Sequence, residues 1–498
     1  MSEPGGGDGA AIVAPDLERE VAGLEPRRLH PVGGLLVGAR IVRELLLAAL
    51  LGSGYALLNE GLSSTYAAIA VAALAAVLVV AAVAGYLSWR ATTYAVAGGA
   101  VVFRRGVLGR QETSVPLERV SALDTEQGPV QRLFGVLELR IQAAGGGKAP
   151  EIRLGAVTAA AAEELRVVLA SGATRAALGS GAEELPIRRL ERRALVVAAL
   201  TSGQIGVAVP VVAGALQYVD DFAEGYAEAL IDAVAASAWL AIATLLVVLV
   251  AAWSLSILGT VIAFAGFSVS RRGDRLLVER GFLKRRVTTI PIARVQAVRI
   301  VEGVLRQPFG LAQLRVESAG YATEGAVNTT LFPLIRRAEV SGFLAEAVPE
   351  LSGAREPLRR PPPRSVLHFA ALAALACLLA GAALAARPAG AEATVAGAAL
   401  ALAAVALVHA LLRYRALGWR LEGGQLVARS RLLARTTVVA AAARLQTRTL
   451  AEGPLERPLG LATFAFALAS RARFRIAHLD TADGRWLLAV LRAGGPSS

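Results

Sequence analysis

Residues 128–135 read GPVQRLFG, residues 303–310 read GVLRQPFG and residues 453–460 read GPLERPLG. Each phrase begins and ends on glycine, holds a basic residue and places Phe or Leu before its last glycine. Working outward from it brings three long segments into register. Nine residues before each opening glycine stands an arginine: Arg119, Arg294 and Arg444. Further upstream, Gly106, Leu108 and Arg110 match Gly281, Leu283 and Arg285, while the third copy has Arg431, Leu433 and Arg435. Pro116 and Pro291 stand three residues before the shared arginine, where the third copy has Ala441. An aromatic residue opens each segment: Tyr94, Phe267 and Trp419. A repeat with matched spacing outranks any single motif.

Period-two alternation follows the phrase each time. Leu137, Leu139 and Ile141 alternate with polar residues, as do Ala312, Leu314 and Val316; Ala462, Phe464, Phe466 and Leu468 keep the same phase. That pattern predicts strands with one buried and one solvated face. Helical stretches are expected at 157–170, 335–348 and 482–492, closing each unit. Glycine at both ends of the phrase suits a turn. The phrase reads as a structural corner whose apolar residues close a sheet edge. The alternative is a membrane-contacting loop, with Phe134, Phe309 or Leu459 inserting and Arg132, Arg306 or Arg457 meeting phosphate.

The chain has 498 residues, of which 55% are hydrophobic and 18% charged. Its mean hydropathy is +0.55, too apolar for an ordinary soluble protein of this size. The single cysteine, Cys377, excludes an intrachain disulfide. The formal charge of +13 is almost wholly arginine, with lysine only at 148 and 284. Basic chains can favour nucleic acid or acidic lipid; the apolar content favours lipid, and no nucleic-acid partner is expected. Residues 1–27 are Gly-rich and acidic and do not resemble a cleaved signal.

Charge-free stretches at 61–89, 194–219 and 233–270, with 365–386 and 393–412, are long enough for membrane helices. A weaker span over 41–58 would complete the pairing. The expectation is therefore an α-helical membrane protein of about six transmembrane helices in three hairpins, each followed by a cytoplasmic β domain. The turn at 220–232 carries Asp220, Asp221, Glu224, Glu228 and Asp232, while the opposite ends are rich in arginine. The positive-inside rule then places both termini and every long segment in the cytoplasm, in an inner-membrane, multi-pass arrangement. The expected domains are a disordered tail (1–27), hairpin 1 (33–90), β domain 1 (91–171), a linker (172–193), hairpin 2 (194–266), β domain 2 (267–350), a Pro/Arg-rich linker (351–364), hairpin 3 (365–412) and β domain 3 (413–493).

Two spans followed by a unit reading RRGVLGRQETSVPLERVSALDTEQGPVQRLFGVLELRIQAAG at 104–145, in a chain with three such units and RRLHP at 27–31 before the first span, resemble the bacterial pleckstrin-homology, membrane-flanked domain family, in its large members with three such domains. The resemblance covers nearly the whole chain beyond residue 26. It implies a pleckstrin-homology-like fold for each unit, a bent antiparallel sheet closed by a C-terminal helix. It also implies a smaller partner of the same family. The third copy departs at Arg431 and Ala441.

Catalysis needs converging polar groups. His30, His368, His409 and His478 do not recur between repeats, and GGGKA at 145–149 lacks the hydroxyl residue and spacing of a phosphate loop. No enzyme activity, cofactor or metal is expected. The basic residues are the candidates. Residues 271–286 hold seven cations and two acids, and each juxtamembrane cation near an anionic leaflet contributes about 1 kcal/mol. The headgroup or partner contacts expected are Arg271, Arg272, Arg275, Lys284, Arg285, Arg286 and Arg306 in the second unit. Arg104, Arg105, Arg110 and Arg132 serve in the first and Arg457 in the third. The expected role is a non-enzymatic scaffold that binds a family partner, anionic lipid headgroups, or both; a transporter or export component built on the helices is the alternative.

Overall fold

The computed structural model describes residues 26–45, 64–107, 109–143, 152–172, 184–201, 237–318, 330–353, 357–368, 378, 381–382, 392–470 and 472–492. In chain order the first segment holds β1 (Arg27–Arg28), α1 (32–45), α2 (Ser64–Arg90), β2 (Thr93–Ala97), β3 (Ala100–Arg105), β4 (Gln111–Pro116), β5 (Val120–Gln127), α3 (Pro129–Leu133), β6 (Val136–Ala143), β7 (Ile152–Thr158) and α4 (Ala159–Gly172). The second holds β8 (Glu184–Arg189), α5 (Arg192–Leu200), α6 (Ala238–Phe264), β9 (Ser268–Arg272), β10 (Arg275–Arg280), β11 (Arg285–Pro291), β12 (Val295–Glu302), β13 (Leu311–Ser318), β14 (Thr330–Arg336) and α7 (Val340–Ala347). The third holds α8 (Glu392–Ala416), β15 (Gly418–Glu422), β16 (Gln425–Arg431), β17 (Arg435–Ala441), β18 (Leu445–Ala451), β19 (Leu461–Leu468), β20 (Arg473–Asp480) and α9 (Thr481–Arg492).

The β content follows the alternation in the sequence, and each repeat closes in a helix. The expectation of about six transmembrane helices is corrected. Among the described residues two helices are long and apolar enough to cross a membrane, Val71–Arg90 and Ile242–Phe264, and most of the described elements are strands in four antiparallel sheets. Absence of charge was the criterion for the other spans; of these, 393–412 lies in the 25-residue α8, which is not one of the two helices named. Where 194–219 is described it is the nine-residue α5, and α1 carries Arg40, Arg43 and Glu44. Most of 41–58, 194–219 and 365–386, the turn at 220–232 and nearly all of the 1–27 tail lie outside the described residues.

The chain divides into two compact units by internal contacts, one of 1–185, 204–267 and 272–291, the other of 186–203, 268–271 and 292–498. In the first unit β1, β2, β3 and β4 form one sheet, and β7, β6, β5, β11 and β10 are successive neighbours in another. Leu139, Ile141, Ile152, Leu154 and Val101 are fully buried between these sheets and α4. Helix α1 crosses α2 at Gly34, Gly38 and Gly85, where backbones approach so closely that a Cβ on Gly85 would meet the Gly34 carbonyl at 2.3 Å. In the second unit β14, β13, β12, β17, β16 and β15 are successive neighbours, and β18, β19 and β20 form a separate sheet. Trp419, Phe464, Phe466, Leu426 and Leu487 fill the core there.

The repeats are thus stitched by sheet continuation. The second half of one repeat pairs with the first half of the next: β5 with β11 and β12 with β17. The register is the same both times, since Arg285 opposes Gln127 and Arg435 opposes Glu302. These positions are equivalent through the shared arginine that starts the alignment.

Candidate anion-binding site

The glycine phrase forms a tight corner between two strands. Its last glycine is left-handed in all three copies, with φ of 63° at Gly135, 60° at Gly310 and 62° at Gly460, a conformation glycine adopts without strain. The fourth residue of each phrase is the anchor: Gln131, Arg306 and Glu456 are all buried polar residues. Each reaches the β-bulge in the last strand of its repeat. Gln131 accepts from the Gly128 amide at 2.7 Å and donates to the Gly155 carbonyl at 3.1 Å. Arg306 donates to the Pro333 carbonyl at 3.1 Å, the Ala198 carbonyl at 3.1 Å and the Thr201 hydroxyl at 3.0 Å. It thereby caps the C-terminal end of α5, where a cation suits the helix dipole. Burial, with Arg315 nearby, lowers its pKa to about 10, so it stays charged at neutral pH. Glu456 accepts from the Gly453 amide at 3.0 Å and the Thr463 hydroxyl at 2.8 Å, and lies 3.1 Å from His478 Nδ1. The sequence reading named Arg306 together with Arg132 and Arg457, which stand one place later in their phrases, and missed Gln131 and Glu456, because the residue type at the fourth position changes in every copy.

A second recurring feature is the hairpin tip before β4, β11 and β17. At Gly281 the chain turns with φ of 104°, and a Cβ there would meet the Lys284 carbonyl at 2.0 Å. The tip presents Phe282 and Leu283, 68% and 48% exposed. It is tied to the end of α6, one of the two membrane-length helices: the Gly281 amide donates to the Ala265 carbonyl at 2.9 Å and the Phe282 amide to the Ile262 carbonyl at 3.1 Å. In the second unit the equivalent tip exposes Leu432 and Leu433, and the Leu432 carbonyl lies 2.7 Å from His409 Nε2 on α8. His409 is seven residues from the end of α8, about 10 Å at 1.5 Å per residue.

Beside the Leu432 tip opens a cavity of about 470 Å³ lined by Arg299, Arg413, Arg431, Arg473, Arg475, His368 and His478, with no carboxylate among the described residues of its wall. Arg413 comes from the last turn of α8, Arg473 and Arg475 from β20. Arg299 pairs with Glu317 at 3.2 Å and lies over the Phe474 ring at 5.5 Å. None of Arg431, Arg473 and Arg475 is ion-paired among the described residues. The two histidine rings stand 4.4 Å apart. Burial first, and the neighbouring His368 second, lower the His478 pKa to about 4, so it is neutral at pH 7.

The corresponding junction in the first unit is neutralised from within. Glu126 contacts Arg140 at 2.6 Å and Lys284 at 2.9 Å, and Asp124 contacts Arg286 at 3.5 Å. Burial alone would raise the Glu126 pKa, yet the Lys284 hydrogen bond together with Arg140, Lys284 and Arg286 holds it below the usual range. Where the first junction has Asp124 the second has Arg299. Five arginines lining one space, with no acid among its described lining residues and only Arg299 paired to a carboxylate in the contacts above, make it a candidate place for an anion.

The residues singled out from sequence are dispersed. Arg104 pairs with Glu112 at 2.9 Å and Arg105 with Gln111 at 2.9 Å. Arg110, Arg132 and Arg457 are exposed. Arg271 donates to the Glu346 carbonyl at 3.1 Å, Arg272 pairs with Glu184 at 3.1 Å and Arg275 is buried. Lys284 and Arg286 serve the first junction as above, and Arg285 pairs with Glu279 at 3.0 Å. Phe134 and Phe309 are exposed, whereas Leu459 is partly covered. Of the cleft residues none belonged to that set. The signal that could have found them was the arginine alternation in β20, RFRIAHLD, which breaks the apolar period on its open face.

Three sheet-and-helix repeats, each with an anchored glycine corner, define a multidomain protein of pleckstrin-homology type, and the chain belongs to the Bacterial PH domain family, which matches residues 43–173, 214–348 and 368–493. It is similar to the UPF0699 transmembrane protein YdbT of Bacillus subtilis (strain 168), with 26% identity over 472 residues, 90% of this chain and 93% of the relative. No solved structure matches it.

Proposed function

We propose that the protein is a non-catalytic scaffold of the cytoplasmic membrane, in which the third PH-like domain holds an anionic lipid headgroup in the cleft and the hairpin tips rest in the interfacial layer. The observation that carries the reading is a cavity walled by five arginines with no carboxylate among its described lining residues. Its position supports lipid as the source of the anion. On α8 the exposed Val405, Val408, Leu411 and Leu412 stand beside Arg413 and Arg415, an apolar-and-basic pairing suited to contact with a bilayer surface. Phe282 and Leu283 flanked by Lys284 and Arg285 repeat that pairing beside α6. Basic residues there add electrostatic attraction to an anionic leaflet. Exposed Arg104, Arg105, Arg110, Arg132 and Arg457, with Phe134 and Phe309, extend the same surface chemistry. A smaller family partner would share it.

The test uses the full chain in detergent with phosphatidylglycerol or phosphatidylcholine added, read by native mass spectrometry. Retention of phosphatidylglycerol over phosphatidylcholine, lost in the Arg413→Gln/Arg473→Gln/Arg475→Gln variant, is expected. Equal retention of the two lipids, or a triple variant indistinguishable from the parent, overturns the reading.

A further inference from the structure

The stitching of repeats leaves two unused strand edges. Strand β4 ends its sheet and β18 ends another, with no strand beyond either among the described residues. They are the members that internal stitching would have consumed: β4 is the counterpart of β11 and β17, and β18 is the counterpart of β5 and β12. We propose that β18 of one copy pairs with β4 of a second copy of this chain, in the register used inside the chain.

That register is specified. Transposing Arg435 opposite Glu302 and Arg285 opposite Gln127 sets Arg110 opposite Glu452. It sets Thr113 opposite Thr449 and Ser114 opposite Arg448. The end pair is charge-complementary in the same sense as Arg435 and Glu302, which are joined at 2.9 Å through Nε. Arg110 is exposed, and the Arg485 contact to Glu452 is a loose 3.7 Å between partly exposed groups. Exposure separates used from unused edges. Thr437, Val438, Val439 and Ala440 of β17 are buried, whereas Gln111, Glu112 and Ser114 of β4 and Gln446, Thr447, Thr449 and Ala451 of β18 are exposed.

Proline commonly guards an edge, and Pro116 ends β4. It does not obstruct this contact. Internal pairing stops at Ala440 opposite Ala297, which corresponds to Val115 opposite Thr447, one residue short of Pro116. An open edge of this kind is a template for another chain, and a contact between two different surfaces propagates head to tail or closes a ring.

The experiment co-expresses two differently tagged full chains, each with Cys377→Ser, one carrying Thr113→Cys and the other Thr449→Cys. Opposed Cα atoms in an antiparallel pair lie about 4.5–5.5 Å apart, within disulfide reach. A mixed-tag disulfide is expected on mild oxidation in native membranes. Moving the second cysteine to Leu450→Cys, on the other face, should cut the yield at least about tenfold, by the two-residue period of a strand. Arg110→Glu on the first chain should reduce the yield several-fold, and adding Glu452→Arg to the second should restore it. No mixed disulfide, equal yields from positions 449 and 450, or no rescue by the charge exchange overturns the proposal.

Discussion

Glu302 and Arg435 face each other where β12 joins β17, with the Arg435 Nε 2.9 Å from a carboxylate that is entirely buried. Arg337 approaches the same carboxylate at 3.7 Å. Gln127 and Arg285 hold the equivalent places where β5 joins β11, but there Gln127 donates to the Val136 carbonyl and Arg285 pairs with Glu279. A buried charge that loses its partner costs about 3–5 kcal/mol, whereas replacing both partners by apolar groups is often neutral. Arg435→Met should therefore destabilise the chain by about 3 kcal/mol, toward the lower end of that range because Arg337 remains. Adding Glu302→Leu should recover most of the loss. Arg285→Met, which breaks an exposed pair with Glu279, should cost under about 1 kcal/mol. Thermal unfolding of the full-length variants in one detergent measures all three.

Arg306 ties the second phrase to the C-terminal end of α5 by two hydrogen bonds and to β14 by a third. Hydrogen bonds from a charged donor are worth about 1.5–3 kcal/mol each when made within the fold. Arg306→Met should leave the Pro333 and Ala198 carbonyls and the Thr201 hydroxyl without their guanidinium, lowering stability by about 2–4 kcal/mol. Arg306→Lys should rescue little, because a compact ammonium does not reach the three acceptors that the guanidinium fork serves. Arg457→Met, changing the exposed neighbour position in the third phrase, should stay within about 0.5 kcal/mol of the parent. Pulse proteolysis of the full chain distinguishes these outcomes.

The repeats and their strand phases were legible because period and spacing are local properties, and the three closing helices fell near their expected positions. The way repeats join was not legible. Pairing of Arg435 with Glu302 across 133 residues leaves no local trace, and the phrase pointed to Arg132, Arg306 and Arg457 without separating the buried Arg306 from the exposed pair. Gln131, Arg306 and Glu456 share a structural task but no chemistry, so similarity between residues could not reveal it. The cleft escaped for a related reason: Arg299, Arg413 and Arg473 come from three separate elements, and only the fold brings them to one wall. The count of six spans rested on freedom from charge alone, and among the described residues only two helices are both long and apolar enough to cross a membrane.

Acidification should destabilise the third repeat through His478. Its pKa falls from the ordinary 6.5 to about 4 because it is buried and lies beside His368, with Arg413 acting the same way and Glu456 opposing. The folded state therefore holds the ring neutral while the unfolded chain protonates it. Between about pH 6.5 and pH 4 the unfolded chain binds more protons, so stability falls as pH falls through this window. The contribution is fully present above pH 6.5. His478→Asn should flatten the slope of unfolding temperature against pH there, and Gln substitution of Glu456 should steepen it by removing the group that favours the protonated ring. His478 also has φ of 58°, a region that asparagine tolerates better than most residues, so the Asn variant keeps the backbone while removing the titration.

The tip beside α6 gives a direct measure of how deep the β domains sit. Phe282 lies at one end of β10 and Asp274 precedes the other end. Six strand residues at about 3.3 Å each separate the two by about 20 Å. The Phe282 amide is bonded to Ile262 within the last turn of α6, so if that helix crosses the bilayer, the Phe282 side chain lies in the interfacial layer while position 274 stands clear of it. An environment-sensitive fluorophore on Phe282→Cys, in the Cys377→Ser chain reconstituted into vesicles, should emit at shorter wavelength than the same label on Asp274→Cys. Lipids brominated near the top of the acyl chain should quench the first label strongly and the second hardly at all. Equal emission and equal quenching at the two sites would place the tip in water and remove the membrane contact from the reading. Replacing Leu283 with Asp should shift the Phe282 label toward the Asp274 signal, since a carboxylate resists transfer out of water.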